Sequence, residues 1–215
     1  MNLINTQFDS LNINQYGTEN MSLVLYSLVR FAKPKKLLEV GMGHSTLFLA
    51  YALKDIKLQI ESQPLNHSWL EENFKEFKNE YNPVLDVIDD LSEKHKPFNY
   101  YQNLLKENNL DVNVNLVNSE FWDFYNSSDQ DYDFIWFDAG CMADYYLIMQ
   151  RIYSNLVRGG IIVFHNTVST MEEKLFETTL KLYSKENKLQ DLEIITIAEP
   201  HKRYQNSFTI CKKSY

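Results

Sequence analysis

The sequence predicts an α/β protein built on a doubly wound, mostly parallel sheet. Three observations carry that prediction. Short apolar runs alternate with longer amphipathic stretches along most of the chain. Two glycines follow the first short run directly, in "KLLEVGMGHST", the place where open α/β sheets turn from strand to helix beside a ligand. Two apolar runs, "LEIITIA" and "NSFTICKK", close the chain with a polar connection between them, as a terminal strand pair does.

Taken in order, residues 1–19 are polar and mixed. "TENMSLVLYSLVRFA" reads as a helix capped by Thr18, with Met21, Leu25, Leu28 and Val29 near one face, and Pro34 ends it. "KLLEV" is a strand, "GMGHST" a turn and "TLFLAYALK" a helix. "KLQIE" reads as the next strand, with Glu61 at its end. From Pro64 the pattern turns helical through Leu65, Trp69, Phe74, Phe77 and Tyr81, until Pro83 breaks it. "VLDVIDDLSEKHK" and "FNYYQNLLKEN" suggest two more short helical pieces, so 79–111 is expected to be a helical insertion, either a cover for a pocket or an extra packing element. "VNVNLV" alternates like a strand and leads to Asn118, Ser119 and Glu120. "YDFIWF" is a strongly apolar strand ending at Asp138. Residues 144–157 read as a helix, Gly159–Gly160 as a turn, "IIVFH" as a strand and 171–186 as a helix before the final pair.

With 215 residues, 44% of them hydrophobic, the chain reads as one domain, 1–215, long enough for a substantial core. A formal charge of −8 argues against a nucleic-acid groove, and Lys33, Lys35 and Lys36 read as a solvated edge. Two distant cysteines, Cys141 and Cys211, make no CxxC pair and no disulfide framework. Without a signal peptide or an apolar run of membrane length, the expectation is a soluble cytoplasmic protein with no membrane partner.

The glycine turn points to a ligand. Gly41 and Gly43 lack side chains, and the helix that follows offers N–H groups near Ser45 and Thr46. The dinucleotide pattern GxGxxG fails at its third glycine, where Thr46 stands, so a carboxylate or small polar group suits this helix start better than a pyrophosphate. Glu61, at the end of the next expected strand, could accept hydrogen bonds from both ribose hydroxyls. Ser119 and Glu120 could meet an adenine, with Phe121 and Trp122 as an apolar wall, although Ser119 would serve equally well as a helix cap. Asp138 ends an apolar strand at a strand-to-helix loop, where open sheets place working groups.

On these stretches the sequence resembles the class I S-adenosylmethionine-dependent methyltransferases. The nearer likeness is to the small-molecule O-methyltransferases that include the catechol and caffeoyl-CoA enzymes. It rests on "LLEVGMGHSTLFLA", "YDFIWFDAG", "YSNLVRGGIIVFHNT" and "NSFTI", and covers about 20–215 apart from 79–111. The resemblance implies a Rossmann-like sheet of seven strands with the last antiparallel, and methyl transfer from S-adenosylmethionine to a small-molecule acceptor, chiefly at a hydroxyl oxygen. It puts Glu39, Gly41, Gly43 and Ser45 beside the methionine part of the cofactor, Glu61 on the ribose, Ser119 and Glu120 near the adenine, and Asp138 where cofactor and acceptor meet.

Metal-dependent relatives use an aspartate at the position of Asp138 and an Asp-Asn pair at the end of the next strand. Here that pair reads His165–Asn166. Asp138, His165 and Asn166 could hold a divalent metal ion, of a kind softer than Mg. Equally, His165 could act as a base without metal, or make a purely structural bond. The lysine that such enzymes carry shortly after the aspartate is missing from "GCMA". Cys141 has no visible base beside it and is expected to pack, while Tyr145 or Tyr146 could face the acceptor. His44 could touch the cofactor edge; His67 and His95 read as surface residues. His201 or Arg203 could neutralise an anionic substrate, with a solvated hairpin as the plainer reading. A homodimer is slightly favoured over a monomer. A nicotinamide-dependent oxidoreductase and a non-catalytic relative of the methyltransferases are the competing functions.

Overall fold

The computed structural model describes residues 19–62, 78–92, 98–127, 131–140, 145–168, 171–186, 191–202 and 205–214. Helix α1 (Glu19–Ala32) precedes strand β1 (Lys36–Val40) and helix α2 (His44–Ser62). Strand β2 (Val84–Asp89), helix α3 (Phe98–Glu107), strand β3 (Val114–Asn118) and helix α4 (Phe121–Ser127) follow. Then come β4 (Tyr132–Phe137), α5 (Tyr145–Ile152), β5 (Leu156–His165), α6 (Met171–Lys185), β6 (Leu192–Ala198) and β7 (Ser207–Lys213). They form a 7-stranded sheet in the order β3-β2-β1-β4-β5-β7-β6. The first five strands are mutually parallel, and β7 runs antiparallel to both β5 and β6. The strand order reverses between β1 and β4, and that switch point fixes where a ligand can enter.

Two apolar layers sandwich the sheet. Leu37, Leu85, Val87, Phe134, Trp136, Val163 and Phe208 face α1 and α2, packing with Leu25, Val29, Leu47 and Ile56. Leu38, Val40, Ile88, Ile135, Phe137, Ile162, Phe164 and Cys211 face α5 and α6, packing with Ile148, Met149, Phe176 and Leu180. The alternation within single strands follows from the period of two along a β-strand. Each fully buried Leu, Ile or Phe contributes about 1.5–3 kcal/mol.

Three sequence expectations change. "KLQIE" is not a strand: it is the last turns of α2, which runs unbroken from His44 to Ser62. No glycine or proline lies between Leu47 and Glu61 to stop a helix. The second strand is instead "VLDVID", inside the stretch expected to be helical. Segment 79–111 therefore holds β2 as well as the helix α3. Gly159–Gly160 is not a turn but lies within β5, where the register with β4 jumps between Tyr132 and Phe134 and Gly159 takes a φ of 78°. That is the signature of a bulge. Most of the helix expected from Pro64, with His67, His95, Cys141 and Arg203, lies outside the described residues. Among the described residues no helix is long and apolar enough to cross a membrane.

Candidate active site

The C-terminal ends of β1, β2, β4 and β5 meet around the glycine turn. The Gly41 N–H donates to the Ile88 carbonyl at 2.9 Å, and the Asp138 N–H donates to the Val40 carbonyl at 2.8 Å. The Met42 N–H donates to Asp89 Oδ2 at 2.7 Å, while Asp89 Oδ1 accepts from the Leu91 N–H at 2.7 Å. Both oxygens of Asp89 thus hold the loops after β1 and β2 together. Sequence reasoning missed Asp89; the β-branched run around it was the available signal.

The two glycines have different reasons to be there. Gly41 has a φ of 95°, and a Cβ on it would meet the Asp138 carbonyl oxygen at 2.3 Å. Its bare backbone lets β4 approach closely. A Cβ on Gly43 would find only Ser45 Oγ, at 3.8 Å. The space beside the turn is therefore at Gly43, where the α2 N-terminus begins. Thr46 Oγ1 accepts from the Gly43 N–H at 3.1 Å, closing the first turn of that helix.

Glu39 is completely buried and accepts from Ser45 Oγ through Oε1 at 2.5 Å. Its Oε2 has no partner among the described residues. Burial pushes its carboxyl up to about 8, against the pull of hydrogen bonds from Ser45 and Thr46. A buried carboxyl tied to Ser45, at the start of the helix after the glycine turn, fits a cationic ligand group, since a positive neighbour would favour its charged form.

At the ends of β4 and β5, His165 Nδ1 and Asp138 Oδ1 are 2.6 Å apart. The imidazole side chain is 3% exposed and the carboxylate 28%. Asp138 therefore faces the opening and His165 stands behind it. Asn166 follows in the left-handed region, with a φ of 54°, and its N–H donates to the Ser207 carbonyl at 2.6 Å. As a metal set these residues fit poorly. One imidazole nitrogen is engaged by Asp138, and the other is buried. Among the described residues no group of three His, Cys, Asp or Glu side chains could hold a metal ion.

Glu61 does not come to this site. It lies in the last turn of α2, about 24 Å along the helix from Ser45, and the ribose role expected of it is corrected accordingly. The carboxylates that end β2 are Asp89 and Asp90. Asp90 is exposed, and hydrogen bonds from Ser92 hold its carboxyl below the usual range. Ser119 is half-buried after β3, with its N–H on the Asp89 carbonyl at 3.1 Å; Glu120 is exposed. Phe121 packs edge-on against Phe137 below them. Tyr145 is buried among Phe137, Phe164 and Phe176, so it is core and does not face an acceptor. His44 is buried at the start of α2, with its ring edge-on to Tyr101. His201 is exposed in the β6–β7 connection. Cys211 is buried in β7, where burial pushes its thiol far up and out of use as a nucleophile.

The methyltransferase domain family matches residues 38–167, which span β1 through the turn after β5. The chain belongs to that family. This methyltransferase has the family's sheet and uses S-adenosylmethionine as its donor. The alternative of a nicotinamide enzyme gives way to it. Among curated proteins, none matches the chain in sequence. Among solved structures, the fold is similar to that of an O-methyltransferase from Bacillus cereus in complex with SAH. Identity there is 14%, with 98% of this chain and 88% of that chain covered and a TM-score of 0.66. It is also similar to the O-methyltransferase TomG from Streptomyces achromogenes, involved in tomaymycin synthesis, in complex with SAM. The identity is 16%, the coverage 92% of this chain and 81% of that chain, and the TM-score 0.63. At such identities the likeness is one of fold.

Proposed function

We propose that this methyltransferase acts on a small molecule at a hydroxyl oxygen, with Asp138 and His165 as the base. The observation that carries the reading is the Asp138–His165 pair, buried on one side and open on the other, beside the glycine turn. A hydroxyl acceptor must lose its proton as it attacks, so the site needs a base within hydrogen-bond reach. The O-methyltransferases of similar fold support the same choice of oxygen.

When bound, S-adenosylmethionine supplies an electrophilic methyl group on a sulfonium. Glu39, Gly43 and Ser45 would hold its methionine end: the glycine leaves room, and the buried carboxylate answers the positive charge. Gly41 supports the same end indirectly, by letting Asp138 sit against the turn. Asp90 would accept the ribose hydroxyls, with Asp89 bracing the loop. Ser119 and Glu120 would stand at the adenine. Asp138 takes the acceptor proton, and His165, donating from Nδ1, fixes the orientation of the carboxylate. In this reading the proton transfer uses Asp138 and His165 alone.

Calorimetric titration with S-adenosylmethionine tests the cofactor half. Asp90→Asn is expected to weaken that binding roughly 10- to 100-fold, the worth of hydrogen bonds to a charged group. Turnover on hydroxylated acceptors tests the rest. Asp138→Asn is expected to lower kcat roughly 100- to 10,000-fold while leaving cofactor affinity nearly unchanged. Activity should persist in chelator after verified metal removal. Loss in chelator, restored by one divalent ion, would reassign Asp138, His165 and Asn166 as metal ligands.

A further inference from the structure

Leu91 has a φ of 57°, in the left-handed region that bulky side chains resist. It stands two residues beyond the end of β2, in the turn that carries Asp90. A strained backbone persists only where its surroundings hold it, and such positions gather at ligand sites. The hold here is Asp89, whose Oδ1 accepts from the Leu91 N–H at 2.7 Å, a bond to the residue two further on. Asp90 repeats the pattern one step later, with its Oδ1 accepting from the Ser92 N–H at 2.9 Å.

The same residue reaches two more turns. Asp89 Oδ2 accepts from the N–H of Met42, between Gly41 and Gly43, at 2.7 Å. Its backbone carbonyl accepts from the Ser119 N–H at 3.1 Å. The turns after β1, β2 and β3 therefore meet at one half-buried residue. They are the turns given above to the methionine end, the ribose and the adenine of the cofactor.

We propose that Asp89 is a positioning residue that makes these three turns one unit. By holding Leu91 left-handed it aims Asp90, and by its bond to Met42 it fixes that aim relative to the glycine turn. The use of this link rests on the cofactor reading above; the three bonds do not. Asp89→Asn separates the two roles of the carboxylate. The amide has nearly the same shape but only one accepting atom, and its NH2 group only donates. Met42 and Leu91 both present donors, so the amide serves one and turns a donor on the other. Once its bond is lost, a leucine leaves the left-handed region, whereas a glycine at 91 takes it freely.

A double-mutant cycle tests this by calorimetric titration with S-adenosylhomocysteine, whose sulfur is uncharged, so the lost carboxylate charge does not act on a sulfonium. Asp89→Asn should weaken binding about 10-fold or more. Leu91→Gly added to Asp89→Asn should recover about threefold or more of that loss, and should recover nothing in the wild-type background. No loss in Asp89→Asn, or the same effect of Leu91→Gly in both backgrounds, would overturn the proposal. Should Asp89→Asn fail to fold, NMR couplings across hydrogen bonds in the wild type give the second reading. They should link the Met42 and Leu91 amide nitrogens to the Asp89 carboxylate carbon, with and without S-adenosylhomocysteine. Absence of either coupling, or transfer of the Asp89 carboxylate to the ligand in the complex, would also overturn it. If the wild type shows both couplings but does not bind S-adenosylhomocysteine, the cofactor reading fails and the link between the turns stands.

Discussion

At the scale of single residues, Glu39 gives the clearest consequence. Its carboxyl is wholly buried, and its pKa is pushed up to about 8 chiefly by that burial. The folded protein therefore keeps a proton that the unfolded chain gives up in the ordinary carboxylate range. The sign follows from linkage: this residue's contribution to stability is full at low pH and is lost as pH rises towards about 8. Glu39→Gln cannot ionise and escapes that loss. Relative to wild type, the variant should gain stability as pH rises from about 5 to about 8, by on the order of 1–4 kcal/mol, and then level off. Denaturant unfolding across that range measures it, and a difference that stays flat with pH would sink the idea. A cationic cofactor group would draw the proton off Glu39. Wild-type binding near neutral pH should then release protons, seen as a dependence of the calorimetric enthalpy on the buffer, and Glu39→Gln should release fewer.

At the scale of elements, the turn between β1 and α2 separates two glycines that look alike in sequence. Gly41→Ala forces a Cβ towards the Asp138 carbonyl at 2.3 Å, from a φ of 95° that alanine resists. It should cost about 1–3 kcal/mol or more and shift Asp138. Gly43→Ala meets open space, so its melting temperature should stay near wild type while cofactor affinity falls. Equal losses of stability in the two variants would refute this division of roles. The glycine turn was legible because a backbone constraint leaves a glycine behind. The element after it was not. "KLQIE" has strand-like alternation, but nothing breaks the helix before it; Ile60 continues the buried stripe of α2 from Ile56 one turn earlier, while Leu58 is exposed. "VLDVID" hid its strand behind two aspartates. Asp86 is inside because Tyr132 and Asn115 donate hydrogen bonds to it, at 3.0 and 2.8 Å. Such satisfaction of a buried charge is a tertiary fact that no local pattern announces. With that strand read as helical, the end of the second strand was expected at Glu61 instead of Asp89.

At the scale of the molecule, one sheet carries the site and its stability is graded across it. The terminal strand pair was readable from two apolar runs, but the insertion of β7 between β5 and β6 depends on long-range pairing. That insertion matters to the site. Ser207 on β7 accepts the Asn166 N–H through its carbonyl and the Val168 N–H through its hydroxyl. Thr209 donates to Thr167 at 2.8 Å and shares a hydrogen bond with Thr196 at 2.9 Å. The turn that carries His165 is thus held by β7, and β6 covers the far side of β7 as an edge strand. Ile195 and Ile197 of β6 are 56% and 47% exposed, so β6 has little apolar burial to resist opening. Hydrogen exchange followed by mass spectrometry should show β1, β4 and β5, paired on both sides, exchanging last. β7 should come next, and β6 among the first. Asp138 and His165 would then keep their geometry while the edge frays, because the Asn166 and Val168 N–H bonds that fix the turn after β5 both end on Ser207 of β7. If β6 instead exchanges as slowly as β4, its outer face is covered in solution. A second copy of the chain would then be the occupant to test, by measuring mass across a concentration series.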